Sequence, residues 1–152
     1  MSDRQPEICS CSALRQAARH VTKLYDEVLA PVGLGVNQYA IVSKLERFGP
    51  KTICELAALL VMDRSTLGHL LRPLEKRGLV RLDAPEQDRR SRVIALTPTG
   101  SALVAKARPL WAKAQHRFEH AFGAEAALDL RTVLKQVASA DFDEAATANH
   151  AI

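Results

Sequence analysis

Residues 61–97 read VMDRSTLGHLLRPLEKRGLVRLDAPEQDRRSRVIALT. Asp63 precedes a helical apolar pattern and Gly78 follows it, which is typical of a helix with a carboxylate N-cap and a glycine just after its last turn. Leu79–Leu82 and Arg92–Leu96 are short apolar segments that predict two strands, and they flank a polar turn rich in arginine. The segment therefore predicts a helix followed by a β-hairpin with a basic tip.

The basic residues of the chain are concentrated in this same segment. From Val61 to Arg92 there are eight lysine or arginine residues and five aspartate or glutamate residues, a net charge of +3, and the whole chain carries only +4. A local basic excess of this kind indicates a surface that binds phosphates. A solvated basic face on an unrelated domain would have the same charge.

Length and composition exclude several classes of protein. A chain of 152 residues with 47% hydrophobic residues predicts one compact globular domain. No apolar run reaches the roughly 18 residues of a transmembrane helix, and the first residues lack the apolar core of a secretory signal. Three cysteines, two of them in a Cys9-x-Cys11 pair, indicate free thiols in a reducing cytoplasm. We find no phosphate loop, H-E-x-x-H or Cys-x-x-Cys motif, and expect no enzyme, no cofactor and no metal site.

Helical periodicity and capping residues predict helices on both sides of this segment. The predicted helices are Cys11–Leu29, Val36–Arg47, Ile53–Leu60, Asp63–Arg77, a long helix capped by Thr97, and Glu125–Ala138. The first has an apolar stripe formed by Cys11, Leu14, Ala18, Val21, Tyr25 and Val28. The fold class is therefore mainly α with a small β-hairpin wing (α+β), namely a winged helix-turn-helix with N- and C-terminal dimerisation helices.

The outer helices are too apolar on one side to stand alone, and a two-fold homodimer is the simplest way to bury them. We accordingly divide the single compact domain into four parts. These are an N-terminal dimerisation helix (1–35), a winged helix-turn-helix lobe that binds double-stranded DNA (36–98), C-terminal dimerisation helices (99–145) and a flexible tail (146–152).

In a helix-turn-helix, the second helix enters the major groove of DNA. One face of the predicted helix would anchor it to the core through Leu67, Leu70, Leu71 and Leu74. The opposite face carries the residues that we expect at the DNA: Arg64, Ser65, Thr66, Gly68, His69 and Arg72. Arginine can bind guanine through two hydrogen bonds, serine can contact either base type, and glycine allows close backbone approach. For Thr66 we expect a phosphate contact.

The hairpin tip adds a second set of basic residues. Arg89, Arg90 and Arg92 are expected to bind DNA, because a narrow minor groove attracts arginine. Asp88 would be repelled by DNA, so we expect it to hold an arginine in place through an ion pair.

The motifs MDRSTLGHLLRPLEKRGLVRL and DRRSRVIALTPTG resemble the MarR family of bacterial transcriptional regulators. They match its D-x-S/G-T-L-x-x-L-x-x-L-E-x-x-G-L-V segment and its D-x-R-x-x-x-I-x-L-T-x-x-G wing, and the similarity covers about residues 10–120. The resemblance implies a homodimer that binds pseudo-palindromic operators, usually as a repressor that a small ligand or oxidation releases. It also implies that Arg90 is the wing arginine of the minor groove and that Asp88 supports it.

The first helix, with the sequence SCSALRQAARHVTKLY, is similar to that of the organic-hydroperoxide-sensing branch of this family (OhrR). This similarity implies that Cys11 is a reactive cysteine and that Tyr25 is a tyrosine that pairs with it from the partner subunit. The two are 14 residues apart, about 21 Å along a helix, so they could meet only across a dimer. Val36 stands where that branch has a second tyrosine. Arg15, at another aromatic position, could stabilise a thiolate.

Other roles stay open for the cysteines. Cys11 could be a small packing residue at the dimer seam. Cys9 could be a resolving thiol, or a soft-metal ligand together with Cys11 and His20, and Cys54 is expected in the core.

Three further alternatives concern the function itself. A phenolic or aromatic carboxylate effector could bind in a crevice lined by Arg19, His20 and Tyr39. From other functional classes, the chain could be a cysteine-based, peroxide-reactive enzyme that uses Cys11, or a non-specific architectural DNA-binding protein.

Overall fold

The computed structural model describes residues 9–84 and 92–143. These residues form six α-helices: α1 Ser10–Leu29, α2 Val36–Phe48, α3 Ile53–Leu60, α4 Arg64–Lys76, α5 Pro98–Phe122 and α6 Ala124–Ser139. A 3₁₀ turn, Ala30–Val32, joins α1 to α2, and the three strands are β1 Lys51–Thr52, β2 Val80–Asp83 and β3 Val93–Leu96. The mainly helical winged helix-turn-helix fold that the sequence predicts is confirmed.

The wing is a three-stranded antiparallel sheet in the order β1-β3-β2. β2 and β3 pair from Val80 opposite Leu96 to Asp83 opposite Val93, as the predicted hairpin requires. The prediction of only two strands was wrong, because β1 adds a third, with Lys51 opposite Ile94. A strand of two residues is too short to show an alternating pattern in the sequence.

Both helices of the helix-turn-helix are capped at their N-termini as the sequence predicts. Asp63 accepts hydrogen bonds from the backbone N–H and the hydroxyl of Thr66, both at 2.7 Å. Thr52 and Glu55 form the capping box at the start of α3. The hydrogen bonds from Thr66 hold the pKa of the Asp63 carboxyl below its usual value, and those from Thr52 do the same for the pKa of Glu55.

The end of α4 is fixed by a Schellman motif. The N–H of Leu79 donates to the carbonyl of Leu74 and that of Gly78 to the carbonyl of Glu75, each at 2.9 Å. Gly78 has a φ of +69°, which favours glycine and confirms its predicted role.

The wing is joined to the start of α5 by Thr97. Its hydroxyl donates to the carbonyl of Gly78 at 2.6 Å and accepts from the N–H of Gly100 at 3.0 Å. A Cβ atom at Gly100 would overlap the carbonyl oxygen of Leu79. The close approach of α5 to the base of the wing therefore requires glycine at position 100.

The chain divides into two compact units between Gln115 and His116. The first unit contains the larger core, in which α4 buries Leu67, Leu71 and Leu74, while Leu70 packs partly buried at its edge. In α1, Tyr25 and Val28 are buried against Ala114. The start of the predicted apolar stripe on α1 is exposed in the single chain, at Cys11, Leu14 and Ala18.

Cys54 is exposed, so its predicted place in the core was wrong. The buried side chains of α3 are Leu56 and Ala57, with Ile53 and Leu60 partly buried beside the core. Cys54 is one residue away from Ile53, about 100° around the helix, and therefore lies off this apolar stripe.

In the second unit, α6 buries Ala127 and leaves much of its apolar surface open. The exposed large apolar residues of this unit are Phe122, Leu128, Val133, Leu134, Val137 and Phe142. No helix within residues 9–84 and 92–143 is long and apolar enough to cross a membrane.

Replacing Gly100 by alanine should destabilise the protein by about 1–3 kcal/mol, because the added methyl group overlaps the Leu79 carbonyl. Urea unfolding followed by circular dichroism measures the change. Gly68→Ala is the matched control, since a Cβ atom there has no neighbour within 4 Å in the described residues. That variant should gain about 0.5–1 kcal/mol. Equal stabilities of the two variants would contradict this assignment of Gly100.

Asp63 should make the stability of the fold depend on pH. Its pKa is lower in the folded chain than its ordinary value of 3.8, so its contribution is complete above that value and disappears as the pH falls through the folded pKa. Asp63→Asn keeps a capping side chain but cannot titrate. The wild type should therefore lose its stability advantage over Asp63→Asn below pH 3.8. Parallel stability curves down to pH 2 in acid titrations at constant salt would show that the cap does not depend on charge.

Candidate nucleic-acid interface

The polar face of α4 carries all the residues that the sequence assigns to its DNA contacts. Five of these side chains are exposed and Gly68 is half-buried: Arg64, Ser65, Thr66, Gly68, His69 and Arg72. The three buried leucines on the opposite face hold α4 against the core. The structure thus turns the predicted contact residues outward together.

The first turn of α4 combines positive charge with fixed geometry. The Nη1 atom of Arg64 lies 3.9 Å from Sγ of Cys54, which places this guanidinium beside α3. The hydroxyl of Thr66 donates to Asp63, so its hydrogen already has an acceptor within the cap. Backbone N–H groups at a helix N-terminus attract anions, which suits a phosphate near this turn.

Position 68 leaves room for close approach. A Cβ atom there would meet no heavy atom within 4 Å, so neither neighbouring packing nor backbone geometry demands a glycine in the described chain. Glycine inside a helix costs about 0.5–1 kcal/mol relative to alanine. Because glycine at position 68 lowers helix stability and no packing in the described residues requires it, we expect its absent side chain to matter at the surface of α4.

Part of the wing lies outside the described residues. Arg92 is exposed just before β3, and on β2 Arg81 forms an exposed ion pair with Asp83 at 2.8 Å. The predicted contacts of Arg89 and Arg90, and the supporting role of Asp88, fall outside the described residues and stay predictions.

The residues of the predicted thiol sensor lie along α1. Cys9 is the N-cap, where its Sγ accepts from the N–H of Ser12 at 3.5 Å, so the helix begins one residue before the predicted start. Cys11 is exposed in the first turn of α1, and Arg15 is exposed one turn further on. Tyr25 is buried and its hydroxyl donates to Oε1 of Gln115 at 2.7 Å. Since one continuous helix separates them, Cys11 and Tyr25 do not meet within the chain.

A pocket of about 400 Å³ lies between α2 and α5. It is lined by Val36, Tyr39, Ala40, Ser43, Lys44, Arg47, Arg108 and Trp111. Tyr39 is the one residue of the predicted crevice in this lining, and Arg19 and His20 are exposed on α1. The sequence analysis did not identify the three cations and the tryptophan of this lining. Their spacing was a possible signal, because Lys44 and Arg47 on α2, and Arg108 and Trp111 on α5, are each three residues apart and so share a helix face.

The lining of this pocket is aromatic and positively charged. The rings of Tyr39 and Trp111 are stacked, with centroids 6.4 Å apart and planes at 25°. Burial raises the pKa of the Tyr39 hydroxyl, an effect that the cation of Arg108 partly offsets, so this phenol is neutral at pH 7. The lining has three cationic side chains and no acidic residue among the described residues. Such a site can hold a flat ring that carries negative charge.

The described residues contain no cluster of side chains suited to binding a metal ion. Nowhere in 9–84 and 92–143 do three His, Cys, Asp or Glu side chains come together as a cluster that could hold a metal ion.

Comparison with known proteins finds relatives that are named as regulators of transcription. Residues 34–91 match the model of the MarR family. The organic hydroperoxide resistance transcriptional regulator of Bacillus subtilis is 31% identical over 97 residues, which are 64% of this chain and 66% of that protein. The transcriptional repressor NicR of Pseudomonas putida is 29% identical over 60% of this chain and 58% of its own length. The chain thus spans 66% or less of these two curated relatives.

Solved structures match over more of the chain. The transcriptional regulator MosR of M. tuberculosis in complex with DNA is 32% identical and has a TM-score of 0.77, over 93% of this chain and 98% of that one. CouR from Rhodococcus jostii RHA1, bound to p-coumaroyl-CoA, is 26% identical with a TM-score of 0.71, over 86% and 92%. These relatives regulate transcription and are not enzymes. With its winged helix-turn-helix and the outward polar face of α4, the chain belongs to the MarR family of transcriptional regulators.

Proposed function

We propose that this protein is a homodimeric repressor that binds a pseudo-palindromic DNA duplex through α4 and leaves it when an effector binds. The observation that carries the proposal is the exposed polar face of α4, which is held outward by buried leucines. The 32% identity to MosR, whose structure was solved with DNA, supports it. The site of action would be the bacterial cytoplasm, on the chromosome.

The spacing of the polar residues suits a major groove. An α-helix with its side chains is about 10–12 Å in diameter and fits the major groove, which is about 12 Å wide, and Arg64 and Arg72 lie about 12 Å apart along this helix. Arg64 and Ser65 stand at the N-terminal end of α4, which lies nearest the base edges in this class of motif. Arg64 and Arg72 would bind guanine, and Gly68 would let the helix backbone approach the bases. Thr66 and His69 lie on the same face and would add contacts to phosphates or bases.

Dimerisation would cover the apolar surfaces that each unit leaves open. On α1 the exposed start of the apolar stripe includes Leu14, and in the second unit the open residues include Phe122, Leu128 and Val133. Large exposed apolar surfaces are typical of interaction sites, and a second copy is the occupant that a palindromic site requires. Segments 1–35 and 99–145 would form this interface, with 36–98 as the DNA-binding lobe.

The effector would occupy the pocket between α2 and α5. Its three cations and two aromatic rings favour an aromatic ring that carries a carboxylate or a phosphate. CouR, which is 26% identical, was solved with p-coumaroyl-CoA, which contains a phenol ring and, on its coenzyme A part, negatively charged phosphates. α2 also contributes Ile41, Val42 and Leu45 to the core that holds α4, so a ligand that moves α2 would act on the recognition helix.

Thiol oxidation is the alternative trigger. Cys11 is exposed in the single chain and lies on the α1 stripe that the proposed dimer would cover, which would bring its thiol close to the second copy. The organic hydroperoxide resistance regulator of Bacillus subtilis, at 31% identity, supports this alternative. It would require Tyr25 of a second copy, because α1 separates the two residues within one chain.

The DNA-binding proposal predicts different effects for two arginines. Arg64→Ala should weaken binding to a duplex selected from a random pool by about tenfold or more, and should barely change binding to a scrambled duplex, because one bidentate base contact is lost. Arg90→Ala, in the wing, should weaken binding to both duplexes. Fluorescence anisotropy of labelled duplexes measures both variants.

Lys76→Ala is the control, because it removes the same charge from an exposed position at the C-terminal end of α4 that is not among the predicted contacts. It should bind like the wild type. Gly68→Ala should bind less tightly although it is expected to be more stable. Equal binding of selected and scrambled duplexes by the wild type would contradict sequence-specific recognition and favour a non-specific architectural DNA-binding protein.

The effector pocket can be tested through Trp111, because it is the single tryptophan of the chain. Phenylacetate should change Trp111 fluorescence in a saturable way, whereas neutral phenylacetamide should not, because the anion pairs with the cations of the lining. Arg108→Gln should raise the Kd at least about tenfold. Lys106→Gln is the control, since Lys106 is an exposed α5 residue outside the lining.

No saturable signal, or equal affinity in Arg108→Gln, would contradict the pocket as the effector site. Release of DNA by substoichiometric cumene hydroperoxide, which Cys11→Ser prevents, would assign the trigger to the thiol instead.

A further inference from the structure

Arg77, the C-cap of α4, holds the polypeptide that joins α1 to α2. Its Nη1 atom donates to the carbonyl of Gly33 at 2.6 Å and its Nη2 atom to the carbonyl of Val32 at 3.2 Å. Two nitrogens of one guanidinium therefore bind two successive carbonyl groups, 44 and 45 residues away in the sequence. We call this joining segment, residues 30–35, the elbow.

The elbow is shaped to receive this side chain. Gly33 has a φ of +66°, in the left-handed region that favours glycine. A Cβ atom at Gly33 would also lie 3.3 Å from Nη2 of Arg77, closer than ordinary packing allows. Directly after the elbow, Asp26 of α1 holds the first residue of α2, because its Oδ1 accepts from the N–H of Val36 at 2.7 Å. The elbow therefore joins α1, α2 and α4.

We propose that Arg77 is a positioning residue that fixes α4 relative to α1 and thereby sets the half-site spacing that the protein accepts on DNA. The proposal rests on the proposed function, in which α1 belongs to the dimer interface and α4 reads DNA. In a two-fold dimer, the position of α4 relative to α1 fixes the distance between the two recognition helices. That distance has to match half-sites about 10 base pairs apart, or a multiple of this.

A direct contact of Arg77 with a DNA phosphate is the competing explanation, because Arg77 is exposed and follows the last turn of α4. The two roles differ chemically. Lysine can replace arginine as a point charge at a phosphate, but it lacks the planar fork that binds two carbonyl groups at once. A phosphate contact also contributes about 0.9 to the slope of log K against log salt, whereas a contact inside the protein contributes nothing.

The test compares Arg77→Ala, Arg77→Lys and the wild type on a set of duplexes. One duplex is the preferred palindrome, and the others have one or two base pairs added to or removed from its centre. We expect the wild type to prefer one spacing. In Arg77→Ala, the ratio of the affinities for the preferred and the altered spacings should fall about tenfold, which corresponds to the loss of one hydrogen bond to a charged group. We expect Arg77→Lys not to restore it, and the salt slope to stay unchanged in both variants.

Lys76→Ala, an exposed neighbour of the same charge, is the matched control and should keep the spacing preference. Circular dichroism at the assay temperature verifies that each variant is folded. Where Arg77→Ala is unfolded, Arg77→Lys decides the matter by the same criteria.

Three results would overturn the inference: an unchanged spacing preference in both variants, full recovery in Arg77→Lys, or a salt slope reduced by about 0.9. If the wild type binds no duplex specifically, the proposed function fails instead, so the two failures can be told apart.

Discussion

The burial of Leu67, Leu71 and Leu74 in the core fixes the orientation of α4. These three leucines are fully or almost fully buried, so α4 can present only one face to the outside. That face carries Arg64 and Arg72. Replacing any one of the three leucines by alanine would lower the free energy of unfolding by about 2–5 kcal/mol. The hydrophobic core therefore decides which side chains are available for a ligand, although none of the core residues would touch it.

Hydrogen bonds fix the two ends of α4, which the burial of its leucines alone does not. At its N-terminus α4 is capped by Asp63, and at its C-terminus Arg77 binds the carbonyl groups of residues 32 and 33. α2 packs against the same core and also lines the cationic aromatic pocket. One helix, α4, is thus connected to the segment between α1 and α2 by hydrogen bonds and to the pocket by shared packing. A change at either place has a physical route to the proposed DNA-binding face.

Local signals made much of this fold predictable. Asp63 and Gly78 marked both ends of α4, since capping depends on residues close in sequence. Features made by tertiary contacts could not be predicted. β1 is two residues long, Cys54 lies off a stripe on a helix of only eight residues, and Trp111 joins the pocket only because α5 packs beside α2. The carbonyl partners of Arg77, more than 40 residues away, belong to the same class.

Methylation protection with dimethyl sulfate on a bound, selected duplex tests whether α4 of each subunit binds in a major groove of DNA. The reagent methylates guanine N7 in the major groove and adenine N3 in the minor groove. If α4 of each subunit enters a major groove, guanine N7 should be protected in two symmetric clusters separated by about 10 base pairs or a multiple of this. Protection of adenine N3 alone, or a single asymmetric cluster of protected guanines, would contradict symmetric binding of two α4 helices in the major groove.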